Sequence, residues 1–213
     1  STKVVVSTPY ILIDTLYGGG QSAGTLHDTY VEVANGNVGV VYGGTNIQGR
    51  IGSAVQTYAA GIAPRDFAKT NVYIHGGTIH NAVFGASNGY YRCHDGLQYA
   101  SGDNNLFADS NAYSYLAGRY TPAVFNSYVL ITAGTIKGNV YSSGNMAVVG
   151  KPAAVAQSPV PDSAGIALLH ISGGTFGSLD NERIVEGKTV YDTTWANIYG
   201  GGNMGCVFGA ADV

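Results

Sequence analysis

One stretch recurs along this chain, and it limits the possible folds more than any other feature. Residues 70–88 read Thr-Asn-Val-Tyr-Ile-His-Gly-Gly-Thr-Ile-His-Asn-Ala-Val-Phe-Gly-Ala-Ser-Asn. Val72 and Ile74 alternate with Tyr73 and His75, the two-residue period of a half-buried strand. Gly76 and Gly77 break the run, a second apolar pulse follows at Ile79 and at Val83 with Phe84, and a small-residue corner closes on Asn88. The order is strand, corner, strand, corner. It returns at residues 127–145, at 30–46 with one residue fewer between glycine and tyrosine, and at 169–203, where a loop divides the copy. Leu16-Tyr17-Gly18-Gly19-Gly20 supplies the second half of a fifth copy.

A unit this short cannot bury its own apolar side, so successive copies must stack in register to make one core. Val31, Val72, Val129 and Leu169 are expected in one column, Val38, Ile79, Ile136 and Phe176 in a second, and Val41, Val83, Val140 and Ile198 in a third. The expected fold is all-β: a single domain over residues 1–213, built as a parallel β-solenoid or stacked β-arches. Loop insertions are expected at about 90–122, 151–165 and 179–196. Glycine suits the corners because stacked rungs approach closely and the chain turns through positive φ. Asn46, Asn88, Asn145 and Asn203 end their copies at equivalent places and can ladder side chain to side chain.

Tyr17, Tyr42, Phe84, Tyr141 and Tyr199 each follow a core-pointing residue directly, so they project to the other face of their strand and line up as an aromatic column. Two readings stand: a ladder exposed or roofed by the chain's own loops, or a contact surface for a neighbouring copy. The segment 90–122 is the largest departure from the repeat and carries Tyr90, Tyr91, Tyr113 and Tyr115. Insertions in repeat folds often hold the specific contacts, so these tyrosines join the candidate surface.

Charged residues make up 11% of the chain, against about 25% in ordinary globular proteins, while glycine (32) and tyrosine (16) are abundant. A net charge of -3 with dispersed lysines gives no basic footprint, which argues against a nucleic-acid partner. No apolar run is long enough for a membrane span. The start Ser1-Thr2-Lys3, without Met or a signal-peptide core, is expected of a mature, processed chain. Cys93 and Cys206 lie at near-equivalent places two copies apart, too far for a direct bond between rungs. Free thiols and bridges between subunits both stay open, and an oxidising setting favours the bridges.

Signals for chemistry are weak. Residues 200–205 satisfy Gly-x-Gly-x-x-Gly, but that fingerprint needs a helix and a βαβ unit behind it, and the same corner recurs without it at Gly43 and Ser142. His75, His80 and His170 have no ligand spacing, and Asp95, Asp103 and Asp109 match no calcium loop. The thirteen carboxylates show no pair repeating at rung spacing, as a glycosidase or lyase on such a scaffold would need. No catalytic residue, metal or cofactor is expected.

The words Gly-Gly-Thr-Ile (76–79), Gly-Gly-Thr-Phe (173–176), Val-Tyr-Gly-Gly (41–44) and Ile-Tyr-Gly-Gly-Gly-Asn (198–203) resemble the glycine-rich repeats of large secreted and cell-surface proteins of bacteria and archaea. Those repeats are generally taken to be parallel β-solenoids, and the pattern is also similar to the β-arch stacking proposed for archaeal sheath proteins. The resemblance implies an extracellular or cell-surface location. Taken with uncapped, strand-like ends at Val4-Val5-Val6 and Cys206-Val207-Phe208, the expected function is a self-assembling structural protein forming a filament, tube or sheath. The alternative is an adhesin or carbohydrate-binding module that meets surface glycan through loop tyrosines. A polysaccharide-degrading enzyme on the same scaffold is the third reading.

Overall fold

A computed structural model describes residues 1–47, 49–52, 68–89, 91–94, 97–100, 122–150, 165–207 and 209–213. Among the described residues the protein is all-β, with no helix. Parallel pairing dominates, and it joins equivalent segments of successive copies. In a first stack, Thr2–Val6, Thr29–Val33, Lys69–Phe84, Asn126–Ile136, Ile166–Ile171 and Ala210–Asp212 follow one another. In a second, Leu12–Tyr17 pairs with Asn37–Tyr42, which pairs with the latter half of Lys69–Phe84, then Asn139–Tyr141 and Ile198–Tyr199. These two stacks belong to one 11-stranded sheet, because the long strands run through the corner between them. A separate four-stranded sheet holds Arg50–Ile51, Ala123–Val124, Val148–Val149 and Cys206–Val207.

The register brings the three expected apolar columns together. Val31 pairs with Val72, Val72 with Val129 and Val129 with Leu169. Val38, Ile79, Ile136 and Phe176 are joined in the same way, as are Val41, Val83, Val140 and Ile198. Most of these side chains form one buried cluster that runs from Val6 to Leu169. Burial of a side chain of this size contributes about 1.5–3 kcal/mol, so stacked columns rather than any single copy hold the sheet. A second buried cluster, with Ile51, Ala86, Val124 and Val149, lies under the four-stranded sheet.

Where the copy at 30–46 is one residue short, the register slips: Val38 pairs with Ile79 but Val40 pairs with Ala82. The extra residue is absorbed as a bulge, so the columns on both sides stay aligned. Tight stacking also explains one corner glycine. A β-carbon on Gly43 would collide with the Gly85 carbonyl oxygen in the next rung.

The expected loop at 179–196 is instead an antiparallel hairpin, Ser178–Val185 with Lys188–Thr194. Its tip places Glu186 and Gly187 at φ 51° and 74°, the two positive values of a tight hairpin turn. Ile184, Val185, Thr189, Val190, Thr193 and Thr194 supply the β-branched residues that make strands on either side of the turn. Within the expected loop at 90–122, Tyr91–His94 and Leu97–Ala100 form a second hairpin. Residues 151–164 lie outside the described residues.

Candidate functional site: side-chain ladders along the stack

The second stack positions the aromatic column. Leu16, Val41, Val83, Val140 and Ile198 occupy one register column on the inner face, so the next residue of each strand points outward. Those next residues are Tyr17, Tyr42, Phe84, Tyr141 and Tyr199, and their rings stack in one row. Centroid separations are 5.0, 4.7, 4.6 and 4.7 Å, and the interplanar angles are 7° or less. The spacing is that of neighbouring strands. Parallel rings in contact at about 3.5 Å with centroids at this spacing are slipped by roughly 3 Å, the offset geometry that aromatic pairs prefer.

The row is buried at Tyr42 and Phe84, half-buried at Tyr17 and Tyr141, and most exposed at Tyr199. Tyr42 is 7% exposed and Phe84 5%, with a ring on either side of each. Tyr199, stacked on one ring among the described residues, is 42% exposed. Burial pushes the Tyr42 hydroxyl up to about 12; neighbouring Tyr17 adds to the rise and a hydrogen bond with Asn145 opposes it. Burial also raises Tyr17, against a hydrogen bond with Asn88 and with a smaller push from Asp14. Each of these hydroxyls therefore meets an asparagine two rungs further along the stack.

Those asparagines form the second ladder. Asn88 Nδ2 donates to Asn46 Oδ1 at 2.8 Å, Asn145 Nδ2 to Asn88 Oδ1 at 2.8 Å, and Asn203 Nδ2 to Asn145 Oδ1 at 2.9 Å. Their backbones are bridged too, with each N–H bound to the preceding rung at 2.9–3.0 Å. The residue after the asparagine turns through positive φ at Ile47, Met146 and Met204. A left-handed residue following the asparagine fits a sharp corner there.

A third row was not expected. The inward hydroxyls of Thr29, Thr70 and Ser127 occupy one register column and are buried. Thr29 Oγ1 donates to the Gly43 carbonyl at 2.5 Å and Ser127 Oγ to the Ser142 carbonyl at 2.6 Å, and Thr2 does the same to Gly18. These bonds tie the start of one strand to the corner at the end of the next. The signal was a hydroxyl two positions before the first core valine at Thr2, Thr29, Thr70 and Ser127, replaced by Ala167 before Leu169 in the copy at 169–203. Also unexpected is a cluster on the outer side of the first stack, where Tyr73 and Tyr128 meet edge to face at 6.0 Å. Tyr30 belongs to it: burial, then Tyr128, Tyr30 and Asp28, raise the Tyr73 hydroxyl.

The remaining candidates are dispersed. His75 lies 3.5 Å from Glu32, which also pairs with Lys3 at 3.2 Å. His80 Nε2 is 3.1 Å from Asn37 Oδ1, and His170 is exposed. Among the described residues no cluster of His, Cys, Asp or Glu is arranged to hold a metal ion. Also among them, no helix is long and apolar enough to cross a membrane. Tyr90, Tyr113 and Tyr115 lie outside the described residues, as do the side chains of Tyr91, Cys93 and Cys206. The Cys93 backbone pairs with Gln98 in the hairpin and the Cys206 backbone with Val148 in the four-stranded sheet. Comparison with protein-family models, with curated proteins and with solved structures finds no match.

Proposed function

We propose that this chain is a parallel β-solenoid and a building block of an extracellular structural assembly, in which copies stack end to end into a filament, tube or sheath. The observation that carries the reading is that the aromatic and asparagine ladders are periodic at strand spacing, so each rung presents to the next the groups it meets in the last. Tyr199 presents a half-exposed ring, and Ile198 beside it is 44% exposed. Leu12 at the opposite end of the second stack is exposed as well. An unpaired strand edge flanked by apolar side chains is a template for another chain. A surface poor in charge offers little repulsion against such pairing.

Electron microscopy of the purified chain at micromolar concentration, with and without reductant, tests the proposal. Ordered filaments, tubes or rings are expected. Their loss under reductant would assign Cys93 or Cys206 to bridges between subunits, and uniform single particles in both conditions would sink self-assembly. The half-buried tyrosines Tyr30, Tyr73 and Tyr128 favour a second reading, a surface that stacks on sugar rings, for which glycan-array binding by non-assembling particles is the test.

A further inference from the structure

A buried amide on the outer face of the first stack lacks a partner for its oxygen. Along Lys69–Phe84, Thr70, Val72 and Ile74 point inward, so Asn71, Tyr73 and His75 point outward. Other residues of that outer face, such as Tyr30, Tyr73, Tyr128 and His75, are half-buried or exposed, yet Asn71 is 0% exposed. Its Nδ2 donates to the Thr29 carbonyl at 3.0 Å. Its Oδ1 is buried too and has no hydrogen-bond partner among the described residues. A buried acceptor without a donor costs stability, which is why nearly all native ones are paired.

Three tyrosines adjoin this position. Tyr30 and Tyr128 are its register partners on the two neighbouring strands, and Tyr73 is the next outward residue of its own strand. The Tyr73 and Tyr128 rings meet with centroids 6.0 Å apart and planes at 70°. Tyr30 Oη donates to Asp28 Oδ2 at 3.4 Å, and Glu32, the register partner of Tyr73, pairs with Lys3 at 3.2 Å. Asp28 and Glu32 are balanced by Lys3 and by Lys69, whose backbone N–H donates to Asp28 Oδ1 at 2.9 Å. That balance suits a neutral ligand better than an ion.

The ring angle decides what the corner can hold. A pyranose lays a C–H face flat on an aromatic ring, with carbons about 3.5–4.0 Å apart. Coplanar rings would suit a long, flat polysaccharide chain. Rings at 70° cannot both lie flat against such a chain, so one acts as a floor and the other as a side wall. The corner fits a single compact ring. Phenols, carboxylates and an amide around it give several hydroxyls somewhere to bond, whereas a purely apolar ligand would leave them unmatched.

We propose, resting on the sugar-stacking reading above, that Asn71, Tyr73 and Tyr128 form a subsite for one pyranose at the end or branch of a neutral glycan, with Asn71 Oδ1 accepting a hydrogen bond from a ring hydroxyl. The oxygen is reached when a tyrosine ring swings aside, a rotamer change that side chains at a surface make rapidly. The subsite lies on the rungs of residues 30–46, 70–88 and 127–145, on a face at right angles to the stacking direction. Stacking of copies therefore leaves it uncovered.

The test is saturation-transfer NMR of the full chain with the methyl glycosides of glucose, galactose, mannose and N-acetylglucosamine, followed by titration of the strongest binder and its monodeoxy forms. At least one glycoside is expected to bind, and Tyr128→Ala and Asn71→Leu are each expected to weaken it about tenfold or more. One monodeoxy form is expected to bind the native chain about tenfold more weakly and to lose that difference in Asn71→Leu. Tyr199→Ala, in the other aromatic row, is expected to leave binding unchanged. Circular dichroism checks the sheet content of each variant; should Asn71→Leu lose it, Tyr128→Ala and the monodeoxy series on the native chain decide. Glycoside binding that Tyr128→Ala does not weaken overturns the subsite and leaves a sugar surface elsewhere. Binding that Tyr128→Ala weakens, but that neither Asn71→Leu nor any lost hydroxyl affects, means that water alone meets the amide and overturns the proposal too. Sedimentation with insoluble cellulose or chitin, without glycoside binding, assigns the face to flat chains; it keeps the sugar reading and overturns recognition of an end or branch. No binding to any of these sugars sinks both.

Discussion

Asn145 sits between two ladder neighbours, and replacing it tests whether the asparagine row bears on stability. Its Nδ2 donates to Asn88 and its Oδ1 accepts from Asn203. At about 0.5–1.5 kcal/mol net for each of these two ladder bonds, and with the hydrogen bond to the Tyr42 hydroxyl lost as well, Asn145→Ala is expected to cost at least about 1–3 kcal/mol at any pH where the sheet is folded. Asn145→Asp separates hydrogen bonding from shape. The ionised carboxylate still accepts from Asn203, but it has no proton to give to Asn88 Oδ1 and faces that oxygen instead. Protonation restores a donor, so in the folded state the new carboxyl titrates above its ordinary value of about 3.9. A group whose folded pKa is raised contributes stability that is present below the unfolded pKa and is lost as pH rises through the folded one. Asn145→Asp is thus expected to approach the native chain in acid and to fall towards or below Asn145→Ala at neutral pH. Urea denaturation of the three proteins across a pH series, with hydrogen exchange at the ladder amides, measures it. Equal stability of the aspartate variant and the native chain at neutral pH would refute the reasoning, because the row would then contribute shape alone.

Phe84→Ala removes a buried ring stacked on both sides and is expected to cost about 3–5 kcal/mol, whereas Tyr199→Ala at the open end loses one ring pair, about 0.5–1.5 kcal/mol; urea denaturation of both variants gives the order. Tyr42 is expected to stay protonated until about pH 12 in an ultraviolet titration of the phenol. Because its folded pKa lies above the unfolded value of about 10, its contribution is complete below that value and disappears as pH climbs through the folded one. A Tyr42 that ionises with the exposed tyrosines would contradict its burial. Gly43→Ala drives a β-carbon into the Gly85 carbonyl and is expected to cost at least about 1–3 kcal/mol. Gly201→Ala, with nothing near its added carbon, should stay within about 0.5 kcal/mol of the native chain.

Much of the arrangement was legible because the copies can be aligned by eye. Once residues 70–88 and 127–145 are set side by side, the columns of Val72 with Val129 and of Ile79 with Ile136 follow, and so does the row of Phe84 with Tyr141. The buried hydroxyl row was missed although its signal was present, because a threonine two residues before a core valine reads as an ordinary strand position. What it bonds to, the carbonyl of a corner 14 or 15 residues later, is set by the closure of the rung and has no sequence pattern. The hairpin at 178–194 was missed because it breaks the repeat period. A segment judged against that period reads as an insertion even when its own residues favour strands.

The sequence by itself determined period and composition: which residues alternate, where corners fall, and which positions of one copy answer to those of another. Tertiary structure decided what each equivalent position experiences, because burial depends on everything packed around a side chain and not on its place in the repeat. Tyr42 and Tyr199 stand in equivalent words of the sequence, yet one is enclosed between two rings and the other is open. Gly44 and Gly201 hold equivalent places in corners of the same type, yet a methyl group would clash with Ser87 at one and meet nothing among the described residues at the other. A repeat makes its units alike in sequence, and their different packing neighbours make them unlike in environment.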